Sequence, residues 1–238
     1  MQNAVIVLAD ISGYTRFIKL HGMALAHAES IITELLDSII DHTEHPLILN
    51  KLEGDAALFY ALADAEPKAV AESVLRQVNG FFEAFSARKQ EIGVDALCNC
   101  GGCTEVVHLN IKTVVTFGGV VVRQVRQFEE ISGTSVIVAH RLLKNSVPLD
   151  EYVLLADDFG HILGDAPAGG TRITEQCEGI GSVSAAYYPP NPDVAPPPAP
   201  NLKRQIRLVN HAVSYMLKKH LRNWIGAAPQ RKFRNLIS

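Results

Sequence analysis

The chain has 238 residues, 47% of them hydrophobic, which is enough for one well-packed domain with an appendage or for two small domains. No apolar run approaches the roughly 20 residues that cross a bilayer. The opening run Ala4–Ala9 lacks a basic flank and a small-residue cleavage site, so it does not read as a secretion signal, and a cytoplasmic protein is expected. The formal charge of −3 is unevenly spread. All 25 acids lie in residues 1–200 beside 13 bases, a formal −12, whereas 201–238 carry nine bases and no acid.

Residues 4–9 form a continuous apolar run, expected as a buried strand. Ser12-Gly13 break it, and Tyr14–Leu20 suits a short helix. Over 23–42 the residues Leu25, Ala28, Ile31, Ile32, Leu35 and Ile39 recur at helical spacing, which predicts an amphipathic helix. Leu47–Lys51 and Ala56–Leu62 flank Glu53-Gly54 and read as a hairpin. Pro67 suits the first turn of a second long helix over 66–92, with Val70, Val74, Val78, Phe81 and Phe85 on its core face. Residues 109–117 and 119–126 read as two strands around Gly118-Gly119. Ser135–Leu143 is expected to be helical, and Tyr152–Ala156 and Gly181–Tyr187 are expected as late strands. The order β-α-β-β-α-β describes an α+β fold, a ferredoxin-like core with extensions and a mixed, mostly antiparallel sheet.

Two carboxylates stand out. Asp10 ends the first strand and Asp55 lies in the hairpin leading into the third. In this topology those strands are antiparallel neighbours, so the two acids meet at one edge of the sheet. Close anions repel, a divalent cation relieves the repulsion, and Mg²⁺ or Mn²⁺ suits oxygen ligands. The turn after Asp10 opens a helix whose N–H groups at Ile11, Ser12, Gly13 and Tyr14 are candidates to hold a phosphate. The ordinary alternative is a helix cap at Asp10 and a turn residue at Asp55.

Four ordered motifs carry a family resemblance over residues 4–188. Ala9-Asp10-Ile11-Ser12-Gly13-Tyr14-Thr15 resembles the opening signature of class III nucleotidyl cyclase domains. Lys51-Leu52-Glu53-Gly54-Asp55 is similar to their Lys-x-x-Gly-Asp hairpin. Gly118-Gly119-Val120-Val121 resembles the turn after their fourth strand. The stretch from Glu130 to Leu142 is similar to their Asp-x-x-Gly-x-x-Val-Asn-x-Ala-x-Arg segment. The resemblance implies a homodimer binding a purine nucleoside triphosphate at the interface, with Asp10 and Asp55 holding metal. Ile11–Thr15 would border the phosphates, and Lys51 and Glu130 would meet the purine. Arg141 would meet charge developing on the α-phosphate. The implied reaction is conversion of ATP to cyclic AMP and pyrophosphate. Two positions depart from the pattern: Ile137 stands where the family has its transition-state Asn, and Glu130 where it has a shorter purine-reading residue. Glu130 is long enough to pair with Lys51 instead, and a cyclase-like binding module without turnover is the alternative function.

Cys98, Cys100 and Cys103 flank Gly101-Gly102, and with His108 or Cys177 they form a candidate Zn²⁺ site, the alternative being free thiols. The proline-rich stretch 189–200 reads as a stiff linker between a cyclase-like domain, 1–188, and a basic segment, 201–238. Within that segment Leu202, Ile206, Val209, Val213, Met216, Leu217, Leu221 and Trp224 recur at helical spacing. A C-terminal amphipathic helix is expected, packed on the acidic domain or on a second protomer, or lying on an anionic membrane surface. No nucleic-acid motif accompanies the basic residues.

Overall fold

The computed structural model describes residues 1–20, 25–95, 105–164 and 167–190. The cysteine cluster at 98–103, the linker from 191 onward and the basic segment 201–238 lie outside the described residues.

The chain runs β1 (Gln2–Ser12), α1 (Tyr14–Leu20), α2 (Leu25–Asp41), β2 (Ile48–Glu53), β3 (Ala56–Leu62), α3 (Pro67–Asp95), a 3₁₀ turn (Val106–His108), β4 (Asn110–Val125), β5 (Phe128–Ser132), α4 (Thr134–Leu142), β6 (Tyr152–Ala156), α5 (Asp157–Leu163), β7 (Thr171–Cys177) and β8 (Gly181–Tyr188). The sheet order is β2-β3-β1-β4-β6-β8-β7, with β5 paired to the far end of β4. Among the described strands only the β4–β6 pair is parallel. The first four strands, in the order β2-β3-β1-β4, are the ferredoxin-like core expected from the chain order.

β1 is central and its period-2 alternation builds two cores. Val5, Val7, Ala9 and Ile11 face one cluster, which α2, α3 and Phe159 of α5 complete. Ala4, Ile6 and Leu8 face the other, which Val136, Ala139 and Leu142 of α4 close. Helix α2 buries Ala28, Ile31, Ile32, Leu35, Leu36 and Ile39, and α3 buries Ala71, Val74, Val78, Phe81, Phe82 and Phe85, both at helical spacing. Arg88 of α3 ties the two helices together through Glu34 at 2.8 Å.

One expectation is overturned. Residues 109–126 do not make two strands around Gly118-Gly119, because β4 is continuous over 16 residues. It exchanges partners instead of turning: residues 110–120 pair with β1 and residues 121–125 with β5. Gly133, at the start of α4, comes so close that an added Cβ would lie 2.4 Å from the Gly119 carbonyl oxygen. Glycine at 133 is therefore what this close backbone approach requires, while a Cβ on Gly118 or Gly119 would meet the side chains of Ser135 and Met1. Strands β5 and β7 and helix α5 are additions to the expected elements.

Candidate functional site

The pairing register places the carboxylates. Asp10 continues the row Ala4-Ile6-Leu8 on the face covered by α4. It lies opposite Ala56 of β3 on one side and Lys112 of β4 on the other. Asp55 occupies the two-residue turn between Glu53 and Ala56, where Gly54 has φ 71° at the first turn position, as type II′ hairpins require. The Ile11 N–H donates to the Asp55 carbonyl at 3.1 Å, joining the end of β1 to this turn. The sequence-predicted acids are thus brought together at one end of the interior strands β1 and β3.

Their electrostatics follow from that proximity. Burial, then the charge of Asp10, raises the Asp55 carboxyl above the ordinary aspartate range, with Glu29 adding a smaller push upward. A hydrogen bond to its own backbone and the charge of Lys112 pull it back down. A carboxyl raised in this way costs the folded chain stability above its folded pKa, and the cost disappears below its unfolded pKa. The compensating cation is Lys112, whose Nζ lies 3.1 Å from Asp10 Oδ2 and also donates to the Leu143 carbonyl at 3.3 Å. Lys112 did not figure among the sequence candidates. It follows from the β1–β4 register alone, which sets it directly across from Asp10.

The turn after Asp10 is partly committed. The Ile11 N–H is used by Asp55, and Ile11 itself is buried. Ser12 and Tyr14 are half-buried, Gly13 and Thr15 are exposed, and Gly13 takes φ 91°. The Tyr14 hydroxyl donates to Glu29 Oε1 at 3.1 Å, and burial together with Glu29 and Asp55 raises its pKa. A cavity of about 190 Å³ opens beside Ser12 and Gly13, lined further by Arg16, Glu105, His108 and Asn110. His108 lies 3.9 Å from Glu105 Oε2 and is largely exposed.

A second cluster forms at the positions expected to meet a purine. Lys51 Nζ is 2.9 Å from Glu130 Oε2 and 3.8 Å from Glu53 Oε1, and Glu53 in turn lies 3.5 Å from His140 Nδ1. The strand β5 that carries Glu130 is held there by neighbours. Asn50 Nδ2 donates to the Glu129 carbonyl, and the Tyr60 hydroxyl donates to Glu129 at 2.5 Å, its pKa pushed up to about 12 by burial and that carboxylate. Arg141 stands apart from both clusters. It is paired with Glu178 at 3.6 Å and shares the outer face of α4 with Ile137, which is 50% exposed.

As a donor set, two carboxylates at a strand end fit a hard dication that keeps several of its positions for water and phosphate oxygens. Among the described residues no group of three or more His, Cys, Asp and Glu converges on one point. Cys177 is buried and its thiol pKa is raised by burial, as for an inert core cysteine. No described helix is long and apolar enough to cross a membrane.

Comparison with known proteins adds a family and a fold. The family model described as "Protein of unknown function (DUF2652)" matches residues 32–152. The "Uncharacterized protein Rv2561/Rv2562" of Mycobacterium tuberculosis is 32% identical over 201 residues, 78% of this chain and 89% of that protein. Among solved structures, the adenylyl cyclase CyaB from P. aeruginosa superposes with a TM-score of 0.56 at 14% identity, over 82% of this chain and 97% of that one. A guanylyl cyclase domain of the RhoGC fusion protein from the aquatic fungus Blastocladiella emersonii gives 0.54 at 13% identity, over 80% and 96%. At these identities the likeness is one of fold: the described domain has the architecture of class III adenylyl and guanylyl cyclase domains.

Proposed function

The chain belongs to the protein family of unknown function DUF2652, and on that premise we propose that it is a homodimeric, cyclase-type domain that binds a divalent metal with a purine nucleoside triphosphate. The observation that carries this reading is the juxtaposition of Asp10 with the Gly54-Asp55 turn on a cyclase-type sheet. In this reading Asp10 and Asp55 hold Mg²⁺ or Mn²⁺, and the turn from Ser12 to Thr15 borders the phosphates. Lys51 donates to a ring nitrogen of the base while Glu130 accepts from its exocyclic amine, a donor–acceptor pair that matches the adenine edge. In the free chain the two pair with each other at 2.9 Å, the alternative that Glu130's length allows, so base binding exchanges this ion pair for contacts to the purine.

The reaction proposed is attack of the ribose 3′-oxygen on the α-phosphorus. The 3′-O–P bond forms, the bond to the β-phosphate bridging oxygen breaks, the hydroxyl proton passes to solvent and pyrophosphate leaves. Bound metal supplies charge neutralisation on the phosphates and acidifies the 3′-hydroxyl. The chain's own contribution is positioning and electrostatics, with Arg141 of a second protomer meeting the charge that develops on the α-phosphate. A specific observation favours a second reading, a binding module without turnover: at the position where an amide would orient the reacting groups, Ile137 presents only hydrocarbon.

Incubating the purified chain with Mn²⁺ and ATP or GTP separates these readings. Cyclic product that disappears in Asp10→Ala and in Asp55→Ala is the expected result for the enzyme. Metal-dependent nucleotide binding without product leaves the binding module, and absence of both overturns the proposal. The zinc site at Cys98, Cys100, Cys103 and His108 is a separate proposal, as is contact of 201–238 with a membrane surface or a second protomer. Metal analysis before and after Cys98→Ser tests the zinc site.

A further inference from the structure

Lys112 occupies an unusual place for a lysine. It is on a central strand with its side chain only 22% exposed, opposite an aspartate whose side chain is 16% exposed. The antiparallel register fixes this opposition, and a second bond to the Leu143 carbonyl holds the ammonium in place. Its charge reaches Asp55 as well. This end of the strands therefore carries two carboxylates and one tethered ammonium. Counting these three groups alone, Lys112 brings the metal-free charge from −2 to −1, and Glu29 adds a weaker negative field at Asp55. Partly buried charges interact strongly because water screens them poorly. A dication arriving at Asp10 meets a positive charge that is covalently attached and cannot leave. An anionic ligand arriving with the metal offsets that charge.

We infer that Lys112 is a built-in counter-cation that shares Asp10 with the divalent ion, so that the carboxylate pair holds metal weakly when metal comes alone and well when it comes with an anionic ligand. This inference rests on the metal-site reading above. It gives the lysine two opposed effects that a merely structural ion pair lacks. Removing its charge tightens metal binding, and it loosens the metal-free fold by leaving Asp10 and Asp55 to repel each other.

The test titrates Mn²⁺ alone, without nucleotide, into the full chain and its variants, with free Mn²⁺ read by electron paramagnetic resonance. Lys112→Gln is expected to bind Mn²⁺ about 10- to 100-fold more tightly than the unsubstituted protein. Its melting temperature without metal should be lower, and Mn²⁺ should restore it. Lys112→Arg keeps the charge and is expected to bind as weakly as the unsubstituted protein. Equal affinity in the Gln variant, or tightening in the Arg variant as well, overturns the counter-cation while leaving the metal site standing. If neither the unsubstituted protein nor the Gln variant binds Mn²⁺, the metal site fails and the inference fails with it.

Discussion

Ile137→Asn is expected to raise the rate of cyclic nucleotide formation by roughly 10²-fold, with little effect on the fold. Ile137 is 50% exposed on α4, one helical turn before Arg141, and both side chains share one outer face. A hydrocarbon there can neither donate nor accept, whereas a primary amide does both. If the outer face of α4 meets the reacting phosphate and ribose across a dimer interface, the amide supplies an orienting hydrogen bond that Ile137 withholds. An exposed helical position tolerates the exchange, because Ile and Asn have similar helix propensities and surface changes usually stay within about 0.5 kcal/mol. The measurement is kcat with Mn²⁺ and ATP at saturation, beside a thermal melt. An unchanged kcat in a well-folded variant places the outer face of α4 away from the chemistry.

The second large effect is on stability. Phe81→Ala is expected to cost about 3–5 kcal/mol, read as a drop in the urea midpoint at unchanged slope. Phe81 is fully buried on α3. Its ring centroid lies 5.4 Å from that of Phe59 and 6.4 Å from the edge-on His42 ring. Phe59 pairs in register with Val7, so this contact clamps α3 onto the two strands that carry the carboxylate pair. Removing the ring leaves a cavity between a helix and a central sheet, where collapse is limited. A loss under about 1 kcal/mol would mean that the clamp is not a packing anchor.

The parts of the fold that were legible in the sequence are those whose physics is local. Helices α2 and α3 announce themselves by apolar spacing, and Gly54 marks a turn that only a residue at ease with positive φ takes without strain. The chain order then fixed β1 beside β3, and with it the meeting of Asp10 and Asp55. Illegible elements lacked an apolar signal or carried a misleading one. Strand β7, Thr-Arg-Ile-Thr-Glu-Gln-Cys, is an edge strand with mostly polar side chains, and β5 carries Glu129 and Glu130 in five residues. Helix α5 is short and contains Gly160. Gly118-Gly119 reads as a turn but lies inside the continuous β4, where a Cβ on Gly118 would meet Ser135 at 3.2 Å and one on Gly119 the Met1 side chain at 3.3 Å.

The candidate site shows the same division. Lys51 with Glu130 was open to inference because both residues sit in motifs, and the contact between them was one of the alternatives. Lys112 was not, because its importance depends on which β4 residue faces Asp10. A shift of one residue in register would have turned it to the opposite face. The link from His140 to Glu53 is likewise a product of how α4 lies on the sheet.

The central claim is that Asp10 and Asp55 hold a divalent metal together with a nucleotide. It is tested most directly by Mn²⁺ electron paramagnetic resonance in the presence of a non-cyclisable ATP analogue, comparing the unsubstituted chain with the double variant Asp10→Ala, Asp55→Ala. Nucleotide-dependent Mn²⁺ binding that the double variant loses, with its fold intact by circular dichroism, is the predicted result. Equal Mn²⁺ binding in the two proteins, or none in either, would contradict it.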